Sequence, residues 1–122
     1  PIMPGKMKVY VGHSTDFNFD QGLDQPVMNS RISDKHEVIL HDRSEFTKSK
    51  GIIRECDLML AEVSYPSTGL GIELGWAEEF NKDVICIHRE GEKPSSAIQV
   101  VTGDVKIYRN EDEMIDVVAD AV

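Results

Sequence analysis

Five short runs rich in β-branched residues punctuate the chain and constrain its fold more than any other feature. They are Lys8-Val9-Tyr10-Val11, Glu37-Val38-Ile39-Leu40, Asp57-Leu58-Met59-Leu60-Ala61-Glu62-Val63, Asp83-Val84-Ile85-Cys86-Ile87 and the weaker Val105-Lys106-Ile107-Tyr108. Their apolar character is continuous rather than alternating, the mark of strands buried on both faces, as in a parallel sheet. Between them lie segments of helical spacing, notably Ile72, Trp76, Ala77 and Phe80, and near the C-terminus Met114, Ile115, Val118 and Ala119.

Strand and helix therefore alternate. The pattern predicts an α/β fold: a doubly wound, Rossmann-like or flavodoxin-like, five-stranded parallel sheet with helices on both faces. At 122 residues the chain carries one domain. We assign it to residues 8–122 and expect residues 1–7 to be a disordered or extraneous end. Between Thr15 and Asp34, Pro26 and mixed polar residues blur any period, so a helix is placed there by topology alone. No internal repeat or low-complexity linker is visible.

The net charge of −9, from 22 acidic and 13 basic residues, disfavours partners bound through backbone phosphates, so neither nucleic acid nor an anionic membrane is expected. No apolar run approaches the roughly 20 residues of a membrane span, and a cytoplasmic location is expected. Glu111, Asp112, Glu113, Asp116 and Asp120 have no basic residue among them and read as a solvated helix face. Cys56 and Cys86 lack CxxC spacing and sit in or beside apolar runs, as buried free thiols do. His13, His36, His41 and His88 show no metal-ligand spacing and are read as incidental. Neither metal nor cofactor is expected.

In a doubly wound sheet, ligands bind beyond the carboxyl ends of the strands. The loop after the third strand reads Ser64-Tyr65-Pro66-Ser67-Thr68-Gly69-Leu70-Gly71-Ile72-Glu73-Leu74-Gly75-Trp76. Lying between strand and helix, its backbone N–H groups at Ser67, Gly69 and Gly71 suit an anion. The G-x-G-x-x-x-G spacing is one residue too long for a dinucleotide fingerprint, and no G-x-x-x-x-G-K-[ST] is present, so NAD and NTPase readings fail. Glu73 is the candidate nucleophile, read as a carboxylate in the first helical turn, where the dipole keeps it ionised; complementing that dipole is its plainer role. A glycine inside a helix costs roughly 1 kcal/mol relative to alanine, so something packs closely at Gly75: ligand, strand or subunit. The first strand ends in Tyr10-Val11-Gly12-His13-Ser14, a second polar wall in which Gly12 admits close backbone approach. A half-buried sheet aromatic is the plainer reading of Tyr10, and a turn cap that of Ser14.

The stretches K-V-Y-V-G-H-S and D-L-M-L-A-E-V-S-Y-P-S-T-G-L-G-I-E-L-G-W-A resemble the nucleoside 2-deoxyribosyltransferase superfamily, and within it the 2′-deoxynucleoside 5′-monophosphate N-glycosidases. The resemblance runs from Lys8 onward. It implies that Glu73, in the E-L-G motif, attacks the anomeric carbon of deoxyribose to give a glycosyl-enzyme. It places Tyr10 beside that carboxylate and Ser14 and Ser67 at the sugar phosphate, and makes a deoxynucleotide or deoxynucleoside the substrate. A serine that such enzymes draw from a neighbouring subunit corresponds to Ser96, which implies a homodimer or higher homo-oligomer. One departure stands out: ungapped alignment sets Ser49 where the superfamily has an aspartate, with Asp42 and Glu45 the nearest carboxylates. Deoxyribosyl transfer between bases and nucleotide binding without turnover are the alternatives. A phosphate-accepting receiver domain would need clustered acids where Gly12-His13-Ser14 and Val63-Ser64 stand. An FMN carrier would need a loop of hydroxyl residues and glycines after the first strand.

Overall fold

The computed structural model describes residues 5–41 and 49–122. Five parallel strands, β1 (Lys8–His13), β2 (Glu37–Leu40), β3 (Leu58–Glu62), β4 (Asp83–Arg89) and β5 (Val105–Tyr108), form one sheet in the order β2-β1-β3-β4-β5. The chain reverses direction across the sheet between β1 and β3, where neighbouring connections leave on opposite faces and open a crevice. The β1–β3 register pairs Gly12 with Ala61 and His13 with Glu62, so both strands end at the same level.

Successive strand residues point to opposite faces, and the chain fills both. Val9, Val11, Leu58, Leu60, Ile85 and Ile87 form one core layer against α2 (Arg31–Lys35) and α5 (Glu111–Ala121), through Ile32, Met114 and Val118. Tyr10, Met59, Ala61, Val84 and Cys86 form the other, against α3 (Ser49–Glu55) and α4 (Thr68–Glu79), through Ile53, Leu70, Leu74 and Ala77. The layers explain why the strand sequences read as unbroken apolar runs.

The stretch from Thr15 to Asp34 is not one helix. A π-helical turn at Asp20–Asp24 runs into α1 (Gln25–Met28), with Pro26 in the first turn where its missing N–H costs little; Ser30 then caps α2 by accepting from the Ile32 amide. The buried stripe of α4 also differs from the expected one: Leu70, Glu73, Leu74 and Ala77 face the sheet while Ile72 is exposed. A buried glutamate breaks the apolar pattern and shifts its apparent phase. The acidic C-terminal helix does meet basic partners, since Arg31 pairs with Asp116 at 2.8 Å and Arg109 with Glu113 at 2.9 Å, both at the surface. Residue 7 already belongs to the fold: the Met7 amide donates to His36 Nδ1 at 3.1 Å and its carbonyl accepts from the Glu37 amide. Among the described residues, no helix is long and apolar enough to cross a membrane.

Glu62, buried at the end of β3, ties the carboxyl ends of three strands together. It accepts from the Ser64 amide at 2.6 Å, the Ser64 hydroxyl at 3.0 Å and the Tyr108 hydroxyl, while Ser64 Oγ accepts from the Arg89 amide at 2.8 Å. Burial, and secondarily Glu62, push the Tyr108 phenol pKa well up, so it keeps the proton it donates. A donor to a buried carboxylate contributes about 1.5–3 kcal/mol, so Tyr108→Phe should destabilise the fold by that order in urea unfolding; an unchanged midpoint would contradict the role given to this network.

Candidate active site

The carboxyl end of β1 and the start of α4 meet over the crevice, and what allows them to meet is Gly12. A Cβ there would lie 2.7 Å from Met59 Cε, 3.2 Å from Leu70 Cδ1 and 3.4 Å from Glu73 Oε1. Ser67 begins α4 as its N-cap, with Oγ accepting from the Leu70 amide at 3.3 Å. Glu73 is the sixth residue of that helix, in its second turn, so the expected first-turn position is corrected. The helix dipole falls off within the first turn. Glu73 is therefore held by direct hydrogen bonding.

Glu73 is buried, 1% exposed, and Tyr10 Oη lies 2.5 Å from its Oε2, within the range of a charge-assisted O–H···O⁻ bond. Burial, and then the Glu73 carboxylate, drive the Tyr10 pKa well above its ordinary value, so the phenol stays protonated and donates. That single proton is committed to Glu73. His41 Nδ1, 2.7 Å from the same phenol oxygen, must then be the donor in its contact with Tyr10, which sets the tautomer. The same nitrogen lies 3.3 Å from Glu73 Oε2. Ser49 is buried at the start of α3 and its side chain also hydrogen-bonds to Tyr10. Tyr10 is thus completely buried under the site and touches it through Glu73 and His41.

A cavity of about 260 Å³ opens over this cluster, lined by His13, His41, Ser67, Gly69 and Glu73, with Thr15 at its edge. Of the residues singled out in the sequence, Glu73, Ser67 and Gly69 line it, while Gly12 and Tyr10 shape it from below. Three do not reach it. Ser14 is buried with Oγ accepting from the Asp16 amide at 3.0 Å, the turn-cap role. Gly71 faces the other side of α4, on an apolar cleft of about 410 Å³ with Tyr65, Ile98 and Val101. Ser96 is exposed at the first residue of a 3₁₀ helix, Ser96–Val100. Asp42 and Glu45 lie outside the described residues.

His13 and His41, read as incidental in the sequence, both enter the site. His13 ends β1, at the chain reversal, and His41 follows directly on its neighbour β2; a place at the carboxyl end of a strand was the available signal. Among the described residues, no group of three or more His, Cys, Asp or Glu side chains is placed to hold a metal ion.

No protein-family profile matches the chain. It is 31% identical over 109 residues to a 5-hydroxymethyl-dUMP N-hydrolase from Tetraodon nigroviridis, covering 84% of this chain and 77% of that one. It is 40% identical over 67 residues to a Syntrophotalea carbinolica protein assigned as a 2′-deoxynucleoside 5′-phosphate N-hydrolase, covering 54% of this chain and 46% of that one. The chain thus spans from about half to about three quarters of the length of these relatives. Among solved structures it shares the fold of a Clostridium botulinum CMP N-glycosidase, with a TM-score of 0.68 at 23% identity, over 92% of this chain and 98% of that one. With the predicted sheet in place and Glu73 buried beside Tyr10, these likenesses show that the chain belongs to the family of 2′-deoxynucleoside 5′-phosphate and 5-hydroxymethyl-dUMP N-hydrolases.

Proposed function

We propose that the chain hydrolyses the N-glycosidic bond of 2′-deoxynucleoside 5′-monophosphates through a glycosyl-enzyme on Glu73, releasing free base and deoxyribose 5-phosphate. The observation that carries this reading is the buried Glu73 carboxylate, held at one oxygen by Tyr10 and facing a cavity of nucleotide-sugar dimensions. With Oε2 fixed by the phenol, Oε1 addresses the anomeric carbon. The C–N bond breaks as the C–O bond forms, through an oxocarbenium-like transition state. The bonding pair leaves with the base; water then attacks the same carbon, its oxygen replacing the Glu73 oxygen there, and the proton it releases goes to the departed base, so that free base, deoxyribose 5-phosphate and the original carboxylate result. Tyr10 holds the nucleophile in one rotamer and needs no proton of its own to leave.

Ser67 suits the 5′-phosphate. Its Oγ already accepts from the Leu70 amide, which leaves the hydroxyl proton to donate into the cavity at the N-terminus of a twelve-residue helix. That arrangement favours a monophosphate over a nucleoside. The substrate is a small molecule, and no metal or other cofactor is invoked.

The active unit in this reading is a homodimer. Among the described residues, no atom outside the chain neighbours and the helix's own nearby backbone lies within 4 Å of a Cβ added at Gly71 or Gly75, so nothing described in the protomer supplies the close packing expected at Gly75. Ile72, 43% exposed, lies on the same helix, and Val100, 78% exposed, lies in the 3₁₀ helix that begins at Ser96. A second copy set against this side would bury these apolar groups and bring Ser96 to a neighbouring site. Light scattering after size exclusion should return twice the protomer mass; a monomer at working concentration would remove Ser96 from the site.

Chromatographic detection of free base from the four deoxynucleoside monophosphates and the matching nucleosides tests the reaction. Loss of the nucleophile in Glu73→Ala should lower base release by about a thousandfold or more while the protein stays folded; retained activity would refute the assignment. Tyr10→Phe removes one donor to the carboxylate and should cost about a hundredfold in kcat with little change in KM. Appearance of a new nucleotide when a second base is supplied, in place of deoxyribose 5-phosphate, would make the chain a transferase. Nucleotide binding with no base released would make it a binding module.

A further inference from the structure

We propose that His13 and Asp24 form a buried imidazolium–carboxylate pair that sets positive charge against the Glu73 cavity and so selects a phosphorylated substrate over the bare nucleoside. The proposal rests on the hydrolase reading for its substrate, but the pair itself is argued from geometry.

His13 ends β1 and is one of the residues lining the cavity, with its side chain fully buried behind that wall. Nδ1 lies 2.8 Å from the Ser14 carbonyl oxygen, which only accepts, so Nδ1 carries a hydrogen. Nε2 lies 3.7 Å from Asp24 Oδ2. A neutral ring would then turn an Nε2 lone pair toward a carboxylate, with both groups out of water. Among the described residues, neither His13 Nε2 nor Asp24 Oδ1 has a hydrogen-bond partner that would relieve that repulsion. A carboxyl group is the stronger acid of the two by about two to three pKa units in model peptides, which places the proton on the ring. Only the doubly protonated imidazole meets both acceptors.

The surroundings agree. Phe19 stacks on the ring at 4.3 Å between centroids and Phe17 stands edge-on at 6.3 Å, an aromatic setting that favours a cation. The wide π-helical turn Asp20–Asp24 brings the carboxylate beneath the ring. Among the described residues, the charged and titratable groups facing His13 are Asp24 from that turn, Glu73 from α4 and His41 beyond β2, whose ring centroid is 5.7 Å away. Burial works to lower the His13 pKa, but Asp24, the Ser14 carbonyl and Glu73 outweigh it and hold the pKa above the ordinary imidazole value.

No lysine or arginine lies among the described residues lining the cavity, in a protein of net charge −9. Among the described residues, His41 is occupied with Tyr10 and Glu73, and His13, buried just behind the wall, is the cation that acts through space on an anionic substrate. Asp24 is not part of the cavity wall, so the pair, neutral as a whole, presents its positive end to the ligand. Deprotonation of His13 would leave an uncompensated negative charge behind the site. Phosphate affinity should therefore fall as pH rises through the His13 pKa.

Inorganic sulfate is a suitable probe because its charge is constant between about pH 5 and pH 8, the span over which a histidine changes charge. Amide shifts of Thr15, Ser67 and Gly69 report its binding, and nitrogen-15 shifts of His13 report the ring's protonation in the wild type without any substitution. Wild type should hold both ring protons at neutral pH. Asp24→Asn, checked for an unchanged circular dichroism spectrum, should bind sulfate about tenfold more weakly near pH 8 and regain affinity near pH 5, when the ring takes up a proton unaided. A merely structural role for Asp24 would show no such recovery. A neutral His13 ring at pH 7, or sulfate affinity unaltered by Asp24→Asn at both pH values, would overturn the proposal. Base release is read in parallel: sulfate held through His13 without any base released refutes the hydrolase reading and leaves the pair standing.

Discussion

Two carboxylates, Glu62 and Glu73, are buried at the carboxyl end of the sheet, and each is held by a tyrosine hydroxyl from a strand. A buried carboxylate without donors costs several kcal/mol, so both glutamates dictate what surrounds them. Glu62 takes its donors from Ser64 and Tyr108 and so binds together the ends of β3, β4 and β5. Glu73 takes its donor from Tyr10 and so binds α4 to β1. The first arrangement steadies the loop that carries Ser67. The second aims the reacting group.

This pairing depends on the parallel sheet. All five strands end on the same side, so residues far apart in the chain, Tyr10, His41, Glu62 and Glu73, converge on one rim. The order β2-β1-β3-β4-β5 puts the reversal of winding between β1 and β3, and α4 leaves β3 beside the gap so created. Gly12 then decides how near the helix comes. Its missing side chain is the space that Met59, Leu70 and Glu73 occupy.

The proposed reaction would bring a carboxylate nucleophile and an anionic substrate into one small cavity, an electrostatic conflict that the walls of that cavity would have to ease. In that proposal the substrate's negative charge would be met by the helix N-terminus at Ser67 and by the buried imidazole of His13. The charge of Glu73 is met by Tyr10, with His41 beside it. Each group faces the charge it complements because the two walls come from different elements, α4 on one side and the strand ends on the other.

The three central strands were legible in the sequence because strands buried on both faces demand unbroken apolar runs such as Val9 to Val11 and Val84 to Ile87, while the partly exposed edge strands β2 and β5 were legible only as short runs rich in β-branched residues. Glu73 was legible as a candidate because its motif stands between a strand and a helix. The interrupted helices between Asp20 and Lys35 were not, since a π-helical turn has no period of its own to read. Nor were the roles of His41, His13 and Asp24, because a histidine's meaning lies in which acceptors face its two nitrogens, and those come from residues far along the chain or across a turn. Sequence by itself determined the fold class, the rim on which a site must lie and the carboxylate at its centre, all consequences of local pattern. The tertiary structure alone decided which oxygen of Glu73 is held, which nitrogens carry protons and which polar residues are left outside, because hydrogen bonds between buried groups depend on distances that only packing sets.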